Sequence, residues 1–350
     1  MALSTIKTAS IANDAITTDK IVNDGNLGNR NVIINGAMQV AQRGTSSTVT
    51  TGSGPQTCDR FFVEAASSGT FNVTQSTTAP DGFANSFKFD CTSADASPDF
   101  LLFGYRIEGQ DVQNLKKGKS GALSTTLSFY VRSSKTGTYQ VNLRDIDNDR
   151  IIGVTYTISS ANTWEYKTVT FIGDTSGILG NDNGNSLTIE WWLAAGSTYN
   201  SGAVPTAWEA KASGDRAAGL NVAIGASTSD EFLITGVQLE VGDVATPFEH
   251  RSVGDELAKC QRYFQKSNPG RIIKGLNATN GAYYYLTVLF KRDMRTAPTV
   301  TFSNNAASGF NTLDPSMNQL HPNLFEVYKQ SNGNANGGYY LFQYEADAEL

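Results

Sequence analysis

Three aspartates at alternate positions could form a site for a hard cation. Asp145, Asp147 and Asp149 lie in the stretch RDIDND, and carboxylate oxygens are typical calcium ligands. The calcium loop of EF-hand proteins is excluded, because Arg150 and Tyr156 stand where that loop requires glycine and glutamate. The stretch therefore predicts either a structural calcium ion in another kind of loop or a plain hairpin turn between two strands. No other cofactor is expected.

The histidines and glycine-rich stretches show no catalytic motif. The two histidines, His250 and His321, lie in unrelated surroundings, and no serine stands in a G-x-S-x-G sequence. The stretch GKS at 118–120 lacks the preceding glycine of a phosphate-binding loop, because Gln113 occupies that position. We therefore expect a protein that is not an enzyme.

A tryptophan pair offers a candidate site for carbohydrate. In the stretch SLTIEWWL, strand alternation places Trp191 inward, so Trp192 points outward beside Glu190 and Thr188. An indole next to hydrogen-bonding groups can stack on a sugar ring while the polar groups orient it. Trp192, Glu190 and Thr188 are thus the predicted binding residues. The alternative is that a loop, a neighbouring domain or another subunit covers Trp192.

The C-terminal part is rich in tyrosine. The relevant residues are Tyr283, Tyr284, Tyr285, Tyr339, Tyr340 and Tyr344. They cannot all fit one face of a small core, so some should be exposed or lie at an interface. We take Tyr284 and Tyr340 as the candidates for contact with a receptor.

The composition predicts the all-β scaffold that would position these residues. The chain has 33 glycines, 17% charged residues and 10% aromatic residues, a composition that suits strands joined by tight turns. Alternating runs predict a β-sandwich, with a late strand at 231–241. The predicted inward residues are Leu127, Phe129, Val131, Tyr139, Val141, Leu143, Ile152, Val154, Tyr156, Ile158, Leu187, Ile189, Trp191 and Leu193.

One helix is predicted, over about 253–266. Ser252 can cap it and Asp255 follows three residues later, as in a capping box. The stretch SNPG at 267–270 ends the helix. Strand-like runs then resume, which indicates a second, smaller β domain.

Charge and hydropathy exclude two classes of partner. The net charge of −6 and the pI near 5.1 argue against a surface that binds the phosphates of nucleic acid. No stretch reaches the roughly 18 apolar residues that a membrane span needs. We therefore expect neither nucleic-acid binding nor membrane insertion.

The first residues carry an isoleucine at every fifth position. The repeat consists of Ile6, Ile11, Ile16 and Ile21. In a helix a step of five residues turns by about 140°, so the isoleucines would not form one stripe. In a lone strand they would alternate between the two faces. The segment therefore cannot bury its isoleucines alone.

Several stretches resemble virion structural proteins of tailed bacteriophages, especially the tail-fibre-like proteins of marine and cyanobacterial phages. They are NVIINGAMQVAQRGTS at 31–46 with CDRFFV at 58–63, TWEYKTVTFIGDTSG at 163–177, and ITGVQLEVGDVATPFEHRSVGDELAKCQRYFQKS at 234–267. The resemblance implies a carbohydrate-module-like jelly roll on the virion surface, made in the host cytoplasm and used for host contact. It supplies no fixed set of binding residues.

With this resemblance, the isoleucine repeat suggests a homotrimer. Three N-terminal segments around a common axis could bury isoleucines that one chain leaves exposed. The alternative is a pentapeptide solenoid, although four repeats supply only about one coil. In the trimer hypothesis, other virion proteins bind the N-terminal segment and host surface polysaccharide is the distal partner.

The resulting interpretation has four parts along the chain. These are an attachment and trimerisation segment (1–28), a galactose-binding-like β-sandwich (29–250), a linker helix (251–268) and a C-terminal β domain that forms the receptor-binding tip (269–350). The first functional interpretation is a non-enzymatic trimeric tail fibre. The alternatives are a head or collar decoration protein and a polysaccharide depolymerase.

Overall fold

The computed structural model describes residues 29–55, 57–67, 69–267 and 270–350 of the 350-residue chain. The isoleucine repeat at 1–28, with Ile6, Ile11, Ile16 and Ile21, lies outside the described residues, as does the trimerisation assigned to it. The chain divides into two compact units, Met1–Arg251 and Ser252–Leu350. Strands dominate both units, so the all-β prediction is confirmed.

The first unit is a jelly-roll β-sandwich of antiparallel strands. Its strands are β1 Ser46–Val49, β2 Gly52–Pro55, β3 Phe61–Ala66, β4 Thr70–Ser76, β5 Ser86–Ser93, β6 Phe100–Glu108, β7 Thr125–Ser133, β8 Gly137–Asp145, β9 Arg150–Ile158, β10 Glu165–Phe171, β11 Asn185–Ala195, β12 Glu209–Ala210 and β13 Glu231–Val241. A one-turn helix, α1 Ser197–Asn200, follows β11. One sheet has the strand order β1-β4-β5-β13-β7-β10, and the other has the order β12-β9-β8-β11-β6-β3-β2.

The core of this unit lies between the two sheets. All the predicted inward residues belong to it, with Val154 partly buried at its edge, which confirms the alternation inferred from the sequence. Aromatic rings fill its centre: Phe61 stacks on Phe103 at 5.1 Å, and the Phe103 and Trp191 centroids lie 5.4 Å apart. Each fully buried ring of this size stabilises the fold by about 1.5–3 kcal/mol.

The second unit contains two smaller sheets. Its elements are α2 Val253–Cys260, β14 Phe264–Lys266, β15 Arg271–Ala278, β16 Tyr283–Leu289, β17 Thr299–Ser308, β18 Ser316–Leu320, β19 Leu324–Gln330 and β20 Ala335–Asp347. In one sheet β14, β15 and β17 all pair with β20, and in the other the order is β16-β19-β18. Phe325, Val327, Phe342 and Tyr344 are among the buried residues of its core.

The predicted start of the helix is confirmed, but its predicted extent is wrong. Ser252 accepts a hydrogen bond from the Asp255 backbone N–H at 3.1 Å and thereby caps the first turn. The helix ends at Cys260 instead of near residue 266. The reason is that Phe264–Lys266 forms β14 and pairs with the end of β20. Within the described part of the chain, no helix has the length and hydropathy needed to cross a membrane.

Candidate functional site

The structure buries Trp192. As predicted, Trp191 lies in the core and Trp192 points to the opposite face of its sheet. That face is covered by the segment 196–220, in which the Tyr199 ring lies 5.1 Å from the indole and the Arg216 guanidinium lies 4.8 Å above it. Trp192 has no exposed surface. The expectation that it stacks on a sugar is therefore wrong, and the covering loop that we considered as the alternative is present.

Glu190 holds the covering segment in place. Its Oε1 atom accepts hydrogen bonds from Arg144 at 2.7 Å and from Arg216 at 2.8 Å. Its Oε2 atom accepts from Arg216 Nε at 3.2 Å and from the Trp192 indole N–H at 3.3 Å. Burial alone would raise the pKa of Glu190, but the charges of Arg216 and Arg144 outweigh it and lower the pKa. The carboxylate is fully occupied within the protein.

Thr188 is also unavailable to a ligand. It is buried, and its hydroxyl exchanges hydrogen bonds with the Asn185 side chain at 3.0 and 3.2 Å. The predicted set of Trp192, Glu190 and Thr188 is thus a buried structural cluster, and its assignment to carbohydrate binding is corrected.

The three aspartates of RDIDND do not converge. Asp145 pairs with Arg150 at the end of a hairpin, and residues 146–149 form the turn, so the hairpin interpretation is confirmed. Asp147 accepts a hydrogen bond from Gly180 N–H at 2.8 Å, whereas Asp149 forms an ion pair with Lys211 at 3.3 Å. No group of three or more metal-binding side chains occurs among the residues that the structure describes. The predicted calcium set is therefore wrong.

A lysine occupies the space beside Asp145. The Lys117 ammonium is buried and forms ion pairs with the carboxylates of Asp145 and Asp174, the latter at 2.9 Å. It also donates hydrogen bonds to the backbone oxygens of Ser176 at 3.0 Å and Gly177 at 3.1 Å. Four oxygens thus surround one tethered cation. No local sequence pattern indicates this contact, because Lys117 precedes Asp145 by 28 positions.

The second unit exposes different tyrosines from those predicted. Tyr284 points inward, where its ring meets Phe310 edge-on at 5.4 Å and its hydroxyl accepts a hydrogen bond from Thr279 N–H. Tyr340 is completely buried, and burial raises its pKa to about 12. Its hydroxyl donates to the Leu313 carbonyl at 2.7 Å. Neither residue offers a ring to a receptor, so both assignments are corrected.

The exposed rings lie on the outward side of the sheet β16-β19-β18. Tyr283 and Tyr285 are 54% and 56% exposed. Tyr328 lies directly opposite Tyr285 on the neighbouring strand, with ring centroids 5.5 Å apart, and its ring is 5.7 Å from Tyr283. We call this surface the tyrosine face. It comprises Tyr283, Tyr285, Thr287, Asn318, Glu326 and Tyr328.

Hydrogen-bonding groups adjoin the rings of the tyrosine face. Thr287 and Glu326 are the next outward cross-strand pair after Tyr285 and Tyr328. The Thr287 hydroxyl donates to Glu326 Oε2 at 2.9 Å, and the Asn318 amide donates to Oε1. Apolar ring surfaces next to polar side chains can bind the C–H face of a sugar while they orient its hydroxyl groups.

A sequence signal for this face exists in the stretch YYYLTVLF. Thr287 stands between Leu286 and Val288, so a strand with these two apolar residues inward turns Thr287 outward. Tyr283 and Tyr285 lie four and two positions before Thr287, so they are on the same face of the strand and point outward with it. The triple tyrosine alone conceals this register.

The chain is similar to some solved structures. No protein-family model matches it, and no match is found among curated proteins. Among solved structures it is similar to the enzymatically active domain of tailspike protein 4 of bacteriophage CBA120, with a TM-score of 0.32, 11% identity, and coverage of 61% of this chain and 21% of that one. The chain thus spans about a fifth of the tailspike domain.

Two carbohydrate-binding modules are also similar. One is the family 11 module from Clostridium thermocellum in complex with a mixed-linked tetrasaccharide (TM-score 0.28, 10% identity, 58% of this chain and 98% of that one). The other is a xylan-binding domain from Paenibacillus barcinonensis (TM-score 0.26, 10% identity, 59% and 92%). Because these TM-scores lie below 0.5, the function of the chain must be argued from its own residues.

Replacing Glu190 tests the anchoring of segment 196–220. Glu190→Gln leaves two arginines beside a neutral amide, so we expect about 3 kcal/mol lower stability. The pKa of Glu190 is depressed in the folded state, so its stabilisation is present above the unfolded value near 4.3 and is lost as pH falls through the lower folded value. The stability difference should therefore shrink in acid. Urea unfolding, followed by tryptophan fluorescence, measures both effects.

Glu64→Gln is the matched control for this experiment. Glu64 pairs with Arg106 at 3.0 Å on the same sheet, but both side chains are partly exposed. Its replacement should cost less than about 1 kcal/mol. Equal losses for the two variants would contradict the anchoring role of Glu190.

Replacing Lys117 tests whether its ammonium stands in for a metal ion. Lys117→Ala removes the ammonium that is paired with the buried carboxylate of Asp145, whereas Asp174 keeps its ion pair with Arg150 at 2.7 Å. We expect a loss of about 3 kcal/mol in stability. Millimolar calcium should recover part of the loss, because the vacated space is lined by oxygens. Thermal unfolding with calcium or a chelator measures this. Lys117→Met is the control, because its side chain fills the space and calcium should not change its thermal stability. If calcium does not stabilise Lys117→Ala either, the ammonium does not stand in for a metal ion.

Proposed function

We propose that the chain is a non-enzymatic surface protein of a tailed-phage particle and that its C-terminal unit binds a host surface glycan. The observation that supports the binding is the tyrosine face. Most large aromatic side chains of this unit are buried, yet Tyr283 and Tyr285 expose more than half of their surface side by side. Exposed aromatic clusters of this kind are typical of binding sites.

The tyrosine face is suited to a sugar because its rings are held before a ligand arrives. Both rings contact Tyr328, and the strand register fixes their spacing at two residues, about 7 Å. A tyrosine has few rotatable bonds, so little conformational entropy is lost when it binds. The adjoining Glu326 and Thr287 can orient hydroxyl groups. The face has one carboxylate, Glu326, whereas glycoside hydrolysis generally uses a pair.

The resemblance to phage fibre proteins supports the particle location. Its stretches 31–46, 58–63 and 163–177 fall in the first unit, and 234–267 runs from β13 to the start of the second. None of them includes the tyrosine face. In our proposal the first unit is a scaffold of the kind found in the phage fibre proteins that it resembles. The segment 1–28 attaches to the particle as a trimer, and the second unit carries the binding surface of a tail fibre.

The sugar-binding proposal predicts a loss of affinity in the double variant Tyr283→Ala/Tyr285→Ala. If each ring contributes about 1 kcal/mol of stacking, affinity falls about 30-fold. An array of oligosaccharides from host capsule and lipopolysaccharide identifies a ligand. Calorimetric titration then measures the affinity of the wild type and of the double variant for it. Tyr339→Ala is the matched control, because Tyr339 is 41% exposed on the other sheet of the same unit.

Three outcomes would contradict this proposal. The wild-type protein could bind no glycan, the double variant could bind as tightly as the wild type, or Tyr339→Ala could cause an equal loss. Unchanged thermal unfolding of the variants, expected for surface substitutions, separates lost binding from lost folding. New reducing ends in host polysaccharide would instead identify a depolymerase.

The particle proposal predicts oligomerisation through the segment 1–28. Light scattering should give a trimer for the full chain and a monomer for the chain that begins at residue 29, because three-fold burial of the isoleucines requires all three segments. If light scattering gives a monomer for both the full chain and the shortened chain, the trimer hypothesis is refuted. Labelled antibody should mark the tail of the particle, and labelling of the head or collar would indicate a decoration protein instead.

A further inference from the structure

We infer that the tyrosine face selects neutral over acidic glycans and that Glu326 is the residue that sets this selectivity. The inference rests on the proposed sugar binding and adds the class of ligand. It follows from the distribution of charge around the exposed rings.

Glu326 is the single charged side chain on the outward side of the three described strands. The outward positions are Tyr283, Tyr285, Thr287 and Leu289 on β16, Leu324, Glu326, Tyr328 and Gln330 on β19, and Ser316, Asn318 and Gln319 on β18. The turns nearest Tyr283, at 279–282 and 331–334, contain only neutral residues. Lys291 lies beyond the opposite end of β16, past Leu289.

The lysine of β19 does not balance this charge. Lys329 alternates with Tyr328 and therefore points to the other side of the sheet, where it is buried. Its ammonium donates to the carbonyl oxygens of Leu313 and Asp314. An anionic sugar on the rings would thus meet a carboxylate without a compensating cation nearby. Like charges at such a contact oppose binding and reject the wrong ligand.

The carboxylate of Glu326 still has capacity for a neutral sugar. Each of its oxygens receives one hydrogen bond, from Thr287 or from Asn318. A carboxylate oxygen can accept two, so each retains a site for a hydroxyl donor. The side chain is half-buried and hence reachable from the rings. Its fixed position favours a hydroxyl group next to a stacked ring over a carboxylate at the same place.

The test uses an array that prints neutral oligosaccharides beside the same compounds oxidised at C6 to uronates. Wild-type protein should bind the neutral member of a pair at least tenfold more tightly, and Glu326→Gln should reduce this ratio to about threefold or less. Higher salt should also narrow the wild-type ratio, because it screens the repulsion. Glu345→Gln, which removes an exposed carboxylate from the other sheet, is the control and should leave the ratio unchanged.

The outcomes separate the inference from the function on which it rests. The selectivity is overturned, with sugar binding left intact, if the wild type binds neutral and oxidised members equally well. It is also overturned if Glu326→Gln keeps the wild-type ratio of the two affinities. Absence of binding to any member overturns both. Thermal unfolding of Glu326→Gln should match that of the wild type, so that a changed ratio reports recognition and not folding.

Discussion

The side chains of a β-strand alternate between its two faces, and this constraint decides which rings of the protein can meet a ligand. Trp191 and Trp192 are neighbours in sequence but lie on opposite sides of one sheet. The same alternation turns Tyr284 into the core and leaves Tyr283 and Tyr285 exposed. A shift of one residue in register would reverse every one of these positions.

Charged residues that suggest chemistry by their type serve structural roles in the first unit. Glu190 binds two arginines and anchors a covering segment, while Lys117 lies among four oxygens and joins separate loops. In both clusters a buried charge meets its opposite and is hydrogen-bonded, which is the condition under which burial of an ion is tolerated. The second unit differs, because the carboxylate of Glu326 lies at a surface beside exposed rings.

Local patterns predicted much of the fold, whereas contacts between distant segments were not accessible from the sequence. The inward residues of β7, β8, β9 and β11 follow from period-two alternation, and the cap at Ser252 follows from its spacing to Asp255. The burial of Trp192 depends on a segment that folds back after β11, which no alternation in β11 encodes. For the tyrosine face the alternation was present, but three adjacent tyrosines hid its register.

The strand β20 has a consequence for synthesis of the protein. It pairs with β14, β15 and β17, so every other strand of its sheet depends on residues 335–347. While the ribosome is still adding those residues, the three earlier strands lack their common partner and their edges remain open. Open edges can pair with other chains. The second unit therefore closes only after residues 335–347 have been synthesised, and nascent chains stalled before β20 are the ones that chaperones would need to protect.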